Sequence, residues 1–201
     1  MSEEITSAAE HKQKMQEQQR QVRAKIADAK TRRGIIIYLY GNGKGKSSSA
    51  FGTLARSLGH GKNGAVVQFI KGKWKTGEQA IFKQLGVKHL VMGTGFTWDT
   101  QDREKDIAAA EAVWNKAVPL FRDPAYDIII LDEVTYMFKY GYLSAAAVSE
   151  VLLARPEKQN VIVTGRDPVP ELLEIADTIS EVREIRHAFH HGVKAQKGIE
   201  F

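Results

Sequence analysis

The stretch IIIYLYGNGKGKSSSAFG, residues 35–52, carries the strongest structural signal in this chain of 201 residues. Six apolar residues run directly into a loop that contains Gly41, Gly43 and Gly45, and a Lys-Ser pair follows. This order predicts a buried strand, a tight turn and a helix. Backbone amides of such a turn, together with the helix N-terminus, can hold phosphate oxygens, so the stretch predicts a phosphate-binding loop.

Each residue type in this phosphate loop, residues 41–48, has a chemical use. Lys46 adds a point charge toward phosphate, and the Ser47 hydroxyl can ligate a Mg²⁺ or Mn²⁺ ion that is already bound to a nucleotide. The spacing is G-x-x-x-G-K-S, one residue shorter than the usual pattern, because Tyr40 stands where the first glycine would fall. The predicted nucleotide-binding residues are Gly41, Asn42, Gly43, Lys44, Gly45, Lys46, Ser47, Ser48 and Arg166.

The rest of the chain alternates short β-branched runs with helical segments. The predicted strands are at 35–40, 65–70, 89–92, 127–131, 160–165 and 178–185. The predicted helices are at 46–58, 77–85, 102–122, 143–154 and 169–176. This alternation predicts an α/β fold, doubly wound around a mostly parallel sheet of about six strands, in one domain from residue 34 to residue 201.

Two more strand ends carry charged residues. The run DIIILDEV places Asp132 and Glu133 at the carboxyl end of a buried strand, where open α/β sheets bind ligands. One of the two carboxylates could hold Mg²⁺, and the alternative is a pair that caps the strand end. Arg166 follows another strand and could bridge phosphate oxygens, although a salt bridge to Asp167 or Glu171 is an equal alternative.

Residues 1–33 differ from the rest of the chain because they lack aromatic residues and are rich in charged helix formers. We predict a polar helix whose apolar stripe is limited to Met15, Val22 and Ile26, so that it is mobile or docks transiently. A frayed, solvated terminus is the alternative interpretation. The segment therefore forms a separate candidate unit.

Composition excludes several classes of protein. The sequence has no cysteine, which removes disulfides, thiolate metal sites and a catalytic thiol, and suits the cytoplasm. It has no apolar leader and no window that approaches a membrane span, so we expect no membrane partner. The net charge of +5 fits an anionic partner but selects none by itself.

Six segments in order, GNGKGKSSSAFG, VQFIKGKWKTGE, GTGFTWDTQDR, ILDEVTY, VTGRDP and GVKAQKGIEF, resemble the P-loop type ATP:cob(I)alamin (corrinoid) adenosyltransferase family. The resemblance covers nearly the whole chain from Gly34 and implies a P-loop NTPase (RecA-like) fold. It also implies transfer of the 5′-deoxyadenosyl group of ATP to Co(I) of a corrinoid such as cobalamin, with release of triphosphate, in adenosylcobalamin synthesis or salvage. In this family a shortened loop holds ATP in the reversed direction, which agrees with the missing residue.

The resemblance also implies roles for individual residues. Lys46, the loop amides and a Mg²⁺ ion on Ser47 and Glu133 would stabilise the departing triphosphate, with Asp132 behind the metal ligands. Since Co(I) carries no proton, the reaction needs positioning and electrostatic stabilisation rather than a general base.

Phe96 and Trp98, in the loop GTGFTWDTQDR, match an aromatic pair that the family uses as a catalytic and corrinoid-binding element. That pair packs beneath the corrin and displaces the lower axial ligand, which makes Co(II) easier to reduce, since axial ligation tunes redox potential. From composition alone, ordinary loop burial is an equal interpretation.

Further expectations concern partners. The resemblance implies a flavodoxin-type reductant, a homodimer and closure of the N-terminal helix over the corrinoid, with no nucleic acid bound. We read His187, His190 and His191 as surface or corrinoid-adjacent residues rather than as a metal site. Two other functions remain open from the residues alone: a RecA-like ATPase, in which Glu133 activates water, and a nucleotide-dependent corrinoid carrier without enzymatic activity.

Overall fold

The computed structural model describes residues 8–70, 76–93 and 102–200 of the chain, which divides into two units, Met1–Arg32 and Arg33–Phe201. The second unit is built on a parallel sheet of six strands. These strands are β1 Ile36–Tyr40, β2 Gly64–Gln68, β3 Lys88–Val91, β4 Ile128–Asp132, β5 Asn160–Thr164 and β6 Thr178–Glu181. Their order across the sheet is β3-β2-β4-β5-β1-β6, and every neighbouring pair is parallel.

Helices connect the strands. They are α2 Lys46–Gly59, α3 Gly77–Gln84, α4 Arg103–Ala117, α5 Thr135–Lys139, α6 Ala145–Leu153 and α7 Pro170–Ile175, and the first unit holds α1 Ala8–Asp28. Two short 3-10 helices, Val118–Arg122 and Ala188–His191, complete the described elements. The predicted fold class is confirmed, including the N-terminal polar helix. Within the described residues, no helix is long and apolar enough to cross a membrane.

The core forms on both faces of the sheet because side chains alternate along each strand. In β4, Ile129 and Leu131 join one buried cluster, while Ile128 and Ile130 join the other. All four are at most 3% exposed, and each contributes roughly 1.5–3 kcal/mol through burial. Strands that are apolar on both faces need helices on both faces, and this requirement produces the doubly wound arrangement.

Arg33 ties the start of β1 to the start of β6. Its guanidinium binds both carboxylate oxygens of Asp177, and the Ile36 amide donates to Asp177 Oδ2 over 2.9 Å. These donors favour the ionised carboxylate, with the Arg33 hydrogen bond as the largest cause, and lower the pKa of Asp177 to about 2. The edge strand β6 is therefore fastened beside β1 at its amino end.

The structure differs from the predicted elements in three places. The predicted helix 102–122 changes to a 3-10 helix after Ala117, where Pro119 lacks the amide that an α-helical turn needs. The predicted strand 178–185 ends at Glu181, after which the chain turns across the phosphate loop. Helix α5 was not predicted, because five residues are too few for a helical period to be visible.

Candidate active site

The site lies at the carboxyl edge of the sheet, where the ends of four adjacent strands meet. Because every pair is parallel, β4, β5, β1 and β6 all end at this edge. The acidic pair ends β4, Arg166 follows β5, the phosphate loop follows β1, and the C-terminal tail, residues 182–200, follows β6. Ligand crevices of open α/β sheets form at such edges.

Backbone hydrogen bonds hold the phosphate loop between the neighbouring segments. The Gly41 amide donates to the Arg166 carbonyl over 3.0 Å, and the Gly43 amide donates to the Val182 carbonyl over 2.7 Å. Gly41 has a φ of 115°, and a Cβ there would lie 2.5 Å from the Val182 oxygen. Only glycine fits this position. The two amides therefore fix the loop, so a phosphate would depend on other amides of the loop and helix.

Helix α2 begins directly after the loop with an N-terminus suited to an anion. Gly45 precedes the helix with a φ of 120°, and no side chain caps the helix N-terminus. The first turn contains no acidic residue. Amides in a first helical turn have no acceptor within the helix, and the helix dipole places partial positive charge there. Ser47 and Ser48 lie in this turn. The local sequence therefore leaves the N-terminus of α2 without an anion of its own.

Lys46 brings a buried positive charge to the loop. Its side chain is 7% exposed, and its ammonium donates to the Gly43 carbonyl over 2.7 Å. Burial is the largest effect and lowers the pKa of Lys46, while the charge of Glu133 opposes this and that of Arg166 adds to it. These influences place the three charged groups within electrostatic reach of one another. An anion bound between these groups would offset the free-energy cost of burying the Lys46 ammonium.

The acidic pair has two different environments. Asp132 is 1% exposed and accepts hydrogen bonds from Gln68 Nε2 over 2.8 Å and from Thr164 Oγ1 over 2.9 Å. Glu133 is half-buried and has a φ of 59°, which is uncommon for a residue other than glycine. Such backbone strain is concentrated at functional sites. The structure thus buries one carboxylate and presents the other at the cavity described next.

One cavity of about 480 Å³ brings most of the predicted site residues together. The predicted residues that line it are Asn42, Gly43, Lys44, Gly45, Lys46, Ser47, Ser48, Glu133 and Arg166. Gly41 lines a neighbouring open cleft with Arg166, and Asp132 lies behind the surface. Asp167, one of the alternative partners of Arg166, pairs with Lys139 at 3.3 Å.

The sequence did not predict seven of the residues that line this cavity, two of which, His187 and His190, were expected only as surface or corrinoid-adjacent side chains. The seven are Glu78, Glu184, His187, Phe189, His190, Ile199 and Glu200. Most belong to the tail, where Glu200 Oε1 lies 3.4 Å from Lys44 Nζ and His190 Nε2 lies 2.9 Å from Glu184 Oε1. The signal that could have found them is topological, since a segment leaving β6 starts at the same sheet edge as the loop that leaves β1.

The donors in this cavity suit Mg²⁺ or Mn²⁺ that arrives with a nucleotide. Ser47 supplies a hydroxyl and Glu133 a carboxylate, and Mg²⁺ commonly takes one or two such ligands together with phosphate oxygens and water. In the described parts of the chain, no cluster of three His, Cys, Asp or Glu residues could hold a metal by itself. The residues present fit a nucleotide-bound ion better than a resident one.

The predicted corrinoid pair, Phe96 and Trp98, lies outside the described residues. Its role stays a prediction. The adjoining strand β3 ends at Val91, at the same carboxyl edge of the sheet as the phosphate loop.

Comparison with known proteins decides the family. A family model described as ATP:corrinoid adenosyltransferase BtuR/CobO/CobP matches residues 32–201. The chain belongs to this family. The match begins after α1 and includes all six strands, the phosphate loop, the acidic pair and the tail.

Curated relatives agree with the family match over nearly the whole chain. The Corrinoid adenosyltransferase CobA of Salmonella typhimurium is 51% identical over 191 residues, which is 95% of this chain and 97% of that protein. The Corrinoid adenosyltransferase of Pseudomonas aeruginosa is 48% identical over 203 residues and covers 100% of both chains. Among solved structures, the crystal structure of the RadB recombinase has a TM-score of 0.44 at 16% identity and covers 78% of this chain and 77% of its own.

Proposed function

We propose that this chain transfers the 5′-deoxyadenosyl group of ATP to the Co(I) centre of a corrinoid and releases inorganic triphosphate, in adenosylcobalamin synthesis or salvage. The observation that carries the proposal is the single cavity where the shortened phosphate loop, Lys46, Glu133 and Arg166 meet, in a member of the ATP:corrinoid adenosyltransferase family. The family supplies the reaction, and the cavity supplies the chemistry for holding a triphosphate.

The reaction balances without a general base. The Co(I) electron pair forms the bond to C5′, the C5′–O bond breaks, and its electrons leave on the triphosphate, which gains charge at the departing oxygen. Lys46 and the first-turn amides of α2 would stabilise this charge, because they are fixed before the reaction and act in a partly buried cavity. Arg166, an exposed side chain that lines the same cavity, would add positive charge. The protein therefore acts by positioning C5′ and by accepting negative charge.

Ser47 and Glu133 would hold Mg²⁺ or Mn²⁺ on the nucleotide, and the bound ion would supply further charge neutralisation for the triphosphate. Three cationic side chains, Lys44, Lys46 and Arg166, line the cavity together with four carboxylates, Glu78, Glu133, Glu184 and Glu200. An added cation offsets the repulsion between these acids and a polyphosphate. The same four acids disfavour a polyanion that arrives without a metal ion.

Phe96 and Trp98 would form the corrinoid platform and help Co(II) accept an electron by removing its lower axial ligand.

The N-terminal segment, residues 1–33, would close over the corrinoid. Removing residues 1–30 should therefore weaken corrinoid retention while leaving ATP binding unchanged, as measured by calorimetry for each ligand. Equal weakening of both ligands would contradict this role. A flavodoxin-type reductant, a homodimer and a cytoplasmic location complete the proposal.

The test is an incubation with ATP, Mg²⁺ and chemically reduced cobalamin, followed by separate assays of adenosylcobalamin, triphosphate and phosphate. We expect adenosylcobalamin and triphosphate in equal amounts. Phosphate release without a new cobalt–carbon bond would indicate an ATPase instead. Tight binding of both substrates with no product would indicate a corrinoid carrier.

A further inference from the structure

A row of hydrogen bonds links the four neighbouring strands β3, β2, β4 and β5, and its two bonds to Asp132 are buried. His89 Nε2 on β3 lies 2.7 Å from Gln68 Oε1 on β2, and Gln68 Nε2 donates to Asp132 Oδ2 on β4 over 2.8 Å. Thr164 Oγ1 on β5 donates to Asp132 Oδ1 over 2.9 Å and accepts from the Glu133 amide over 3.0 Å. This row of hydrogen bonds ends at the carboxylate of Asp132 and the backbone amide of Glu133, the two acids that the proposed function uses.

The Thr164 hydroxyl connects the two acidic residues, Asp132 and Glu133, within this row of hydrogen bonds. A hydroxyl has one proton to donate and lone pairs to accept, and here both uses are taken: it donates to Asp132 and accepts from the Glu133 amide. Thr164 is 0% exposed, so water cannot replace it in either bond. One side chain thus fixes the carboxylate of the first acid and the backbone of the second.

The second bond matters because of the backbone that it holds. Glu133 has a φ of 59°, a conformation that is strained for a residue with a side chain and persists only when its surroundings enforce it. The hydrogen bond to Thr164 is one such constraint, and it acts on the residue whose side chain lines the cavity. Release of this amide would let Glu133 return to a more common backbone conformation and turn its carboxylate away.

We propose that Thr164 is a positioning residue that sets the Glu133 carboxylate for the metal ion carried by the nucleotide. This inference rests on the proposed function, because that function assigns the metal to Glu133 and Ser47. Thr164 is not among the residues that line the cavity. It acts by holding Asp132 and Glu133 in the arrangement that presents Glu133 to the cavity.

The test compares Thr164→Val with Thr164→Ser. Valine keeps the shape but removes the hydroxyl, whereas serine keeps the hydroxyl. Mn²⁺ binding in the presence of ATP, followed by electron paramagnetic resonance, gives a readout that needs no corrinoid. We expect valine to weaken Mn²⁺ binding about 10- to 100-fold, the usual effect of losing a group that orients a metal ligand, and serine to restore most of it.

Two further measurements separate positioning from general damage. The Mg²⁺ concentration for half-maximal adenosyl transfer should rise in parallel for Thr164→Val, while the rate at saturating Mg²⁺ falls much less. Thr178→Val, on the exposed edge strand β6, is the matched control and should leave Mn²⁺ binding unchanged. A shift of half-saturation that serine reverses is not expected from a purely structural role.

Unchanged Mn²⁺ binding in folded Thr164→Val would overturn the inference, as would a wild-type protein that binds no Mn²⁺ with ATP. If the valine variant does not fold, Thr164→Cys takes its place, because cysteine has the same side-chain skeleton as serine but its larger sulfur is only a weak donor and acceptor. Equal Mn²⁺ binding by the Cys and Ser variants would then overturn it. Failure of the proposed function is a separate result: the wild type would form no adenosylcobalamin while the valine and serine variants still differed in Mn²⁺ binding.

Discussion

Replacing Lys46 by methionine removes one buried positive charge from the phosphate loop and nearly preserves the length of the side chain. In the structure this ammonium donates to the Gly43 carbonyl over 2.7 Å, and the side chain is 7% exposed. Lys44 provides a matched control, because it belongs to the same loop but has a side chain that is 47% exposed and pairs with Glu200. Lys46→Met and Lys44→Met therefore differ mainly in burial.

The expected loss of kcat for each variant follows from this difference in burial. A preorganised donor that faces charge developing in the transition state is worth about 100- to 1000-fold in kcat, or about 2.7–4 kcal/mol. We expect this loss for Lys46→Met. An exposed ion-pairing lysine is worth about 0.2–1 kcal/mol, so Lys44→Met should cost less than about fivefold. Burial lowers the pKa of Lys46, which means that the folded state disfavours its charge, so Lys46→Met should not lower the thermal midpoint.

The assay is adenosylcobalamin formation from chemically reduced Co(I), with thermal unfolding of each variant in parallel. Starting from Co(I) removes the reduction step, so that the rate reports only on transfer. Equal losses in the two variants would refute the reasoning. So would a Lys46→Met protein that is folded and transfers at the wild-type rate.

The remaining predictions concern the aromatic pair, the β1–β6 ion pair and the tail. Phe96→Ala or Trp98→Ala should spare transfer from chemically reduced Co(I) more than transfer that starts from Co(II), and equal losses in the two assays would contradict the axial-ligand role. Asp177, with a pKa lowered from 3.8 to about 2, stabilises the fold above pH 3.8 and loses this contribution as pH falls toward 2. Asp177→Asn should therefore cost about 1 kcal/mol at neutral pH after solvent screening, measured by urea unfolding, and nothing at the acid limit; a constant cost across pH would contradict this. Glu200→Gln should tighten binding of inorganic triphosphate up to about fivefold, because Lys44 is released and a negative charge leaves the cavity, whereas weaker binding in calorimetry would contradict it.

The sequence predicted the strands well because each is a short apolar run that ends at polar or glycine residues. The run before the phosphate loop becomes β1, and the run DIIIL becomes β4 with Asp132 at its end. Sequence pattern does not contain the order of the strands, since the insertion of β5 between β4 and β1 depends on contacts between distant residues. That insertion is what brings Thr164 beside the acidic pair.

The site was predicted only in part, for physical reasons. Motif spacing predicts roles for Lys46 and Glu133 because each follows a strand end directly in the sequence, and both line the same cavity. The tail could not be placed by spacing, since Glu200 meets Lys44 across 156 residues of chain. The left-handed backbone of Glu133 was equally invisible, because the hydrogen bond from its amide to Thr164 comes from a neighbouring strand.

The central claim is that the phosphate loop holds ATP so that Co(I) attacks the sugar carbon rather than phosphorus. The most direct measurement uses ATP carrying a heavy oxygen isotope at the bridge between C5′ and the first phosphate, with mass spectrometry of both products. The account predicts that the label leaves entirely with triphosphate, since the C5′–O bond breaks. Label retained on the nucleoside would mean that a P–O bond broke instead, and would contradict the account.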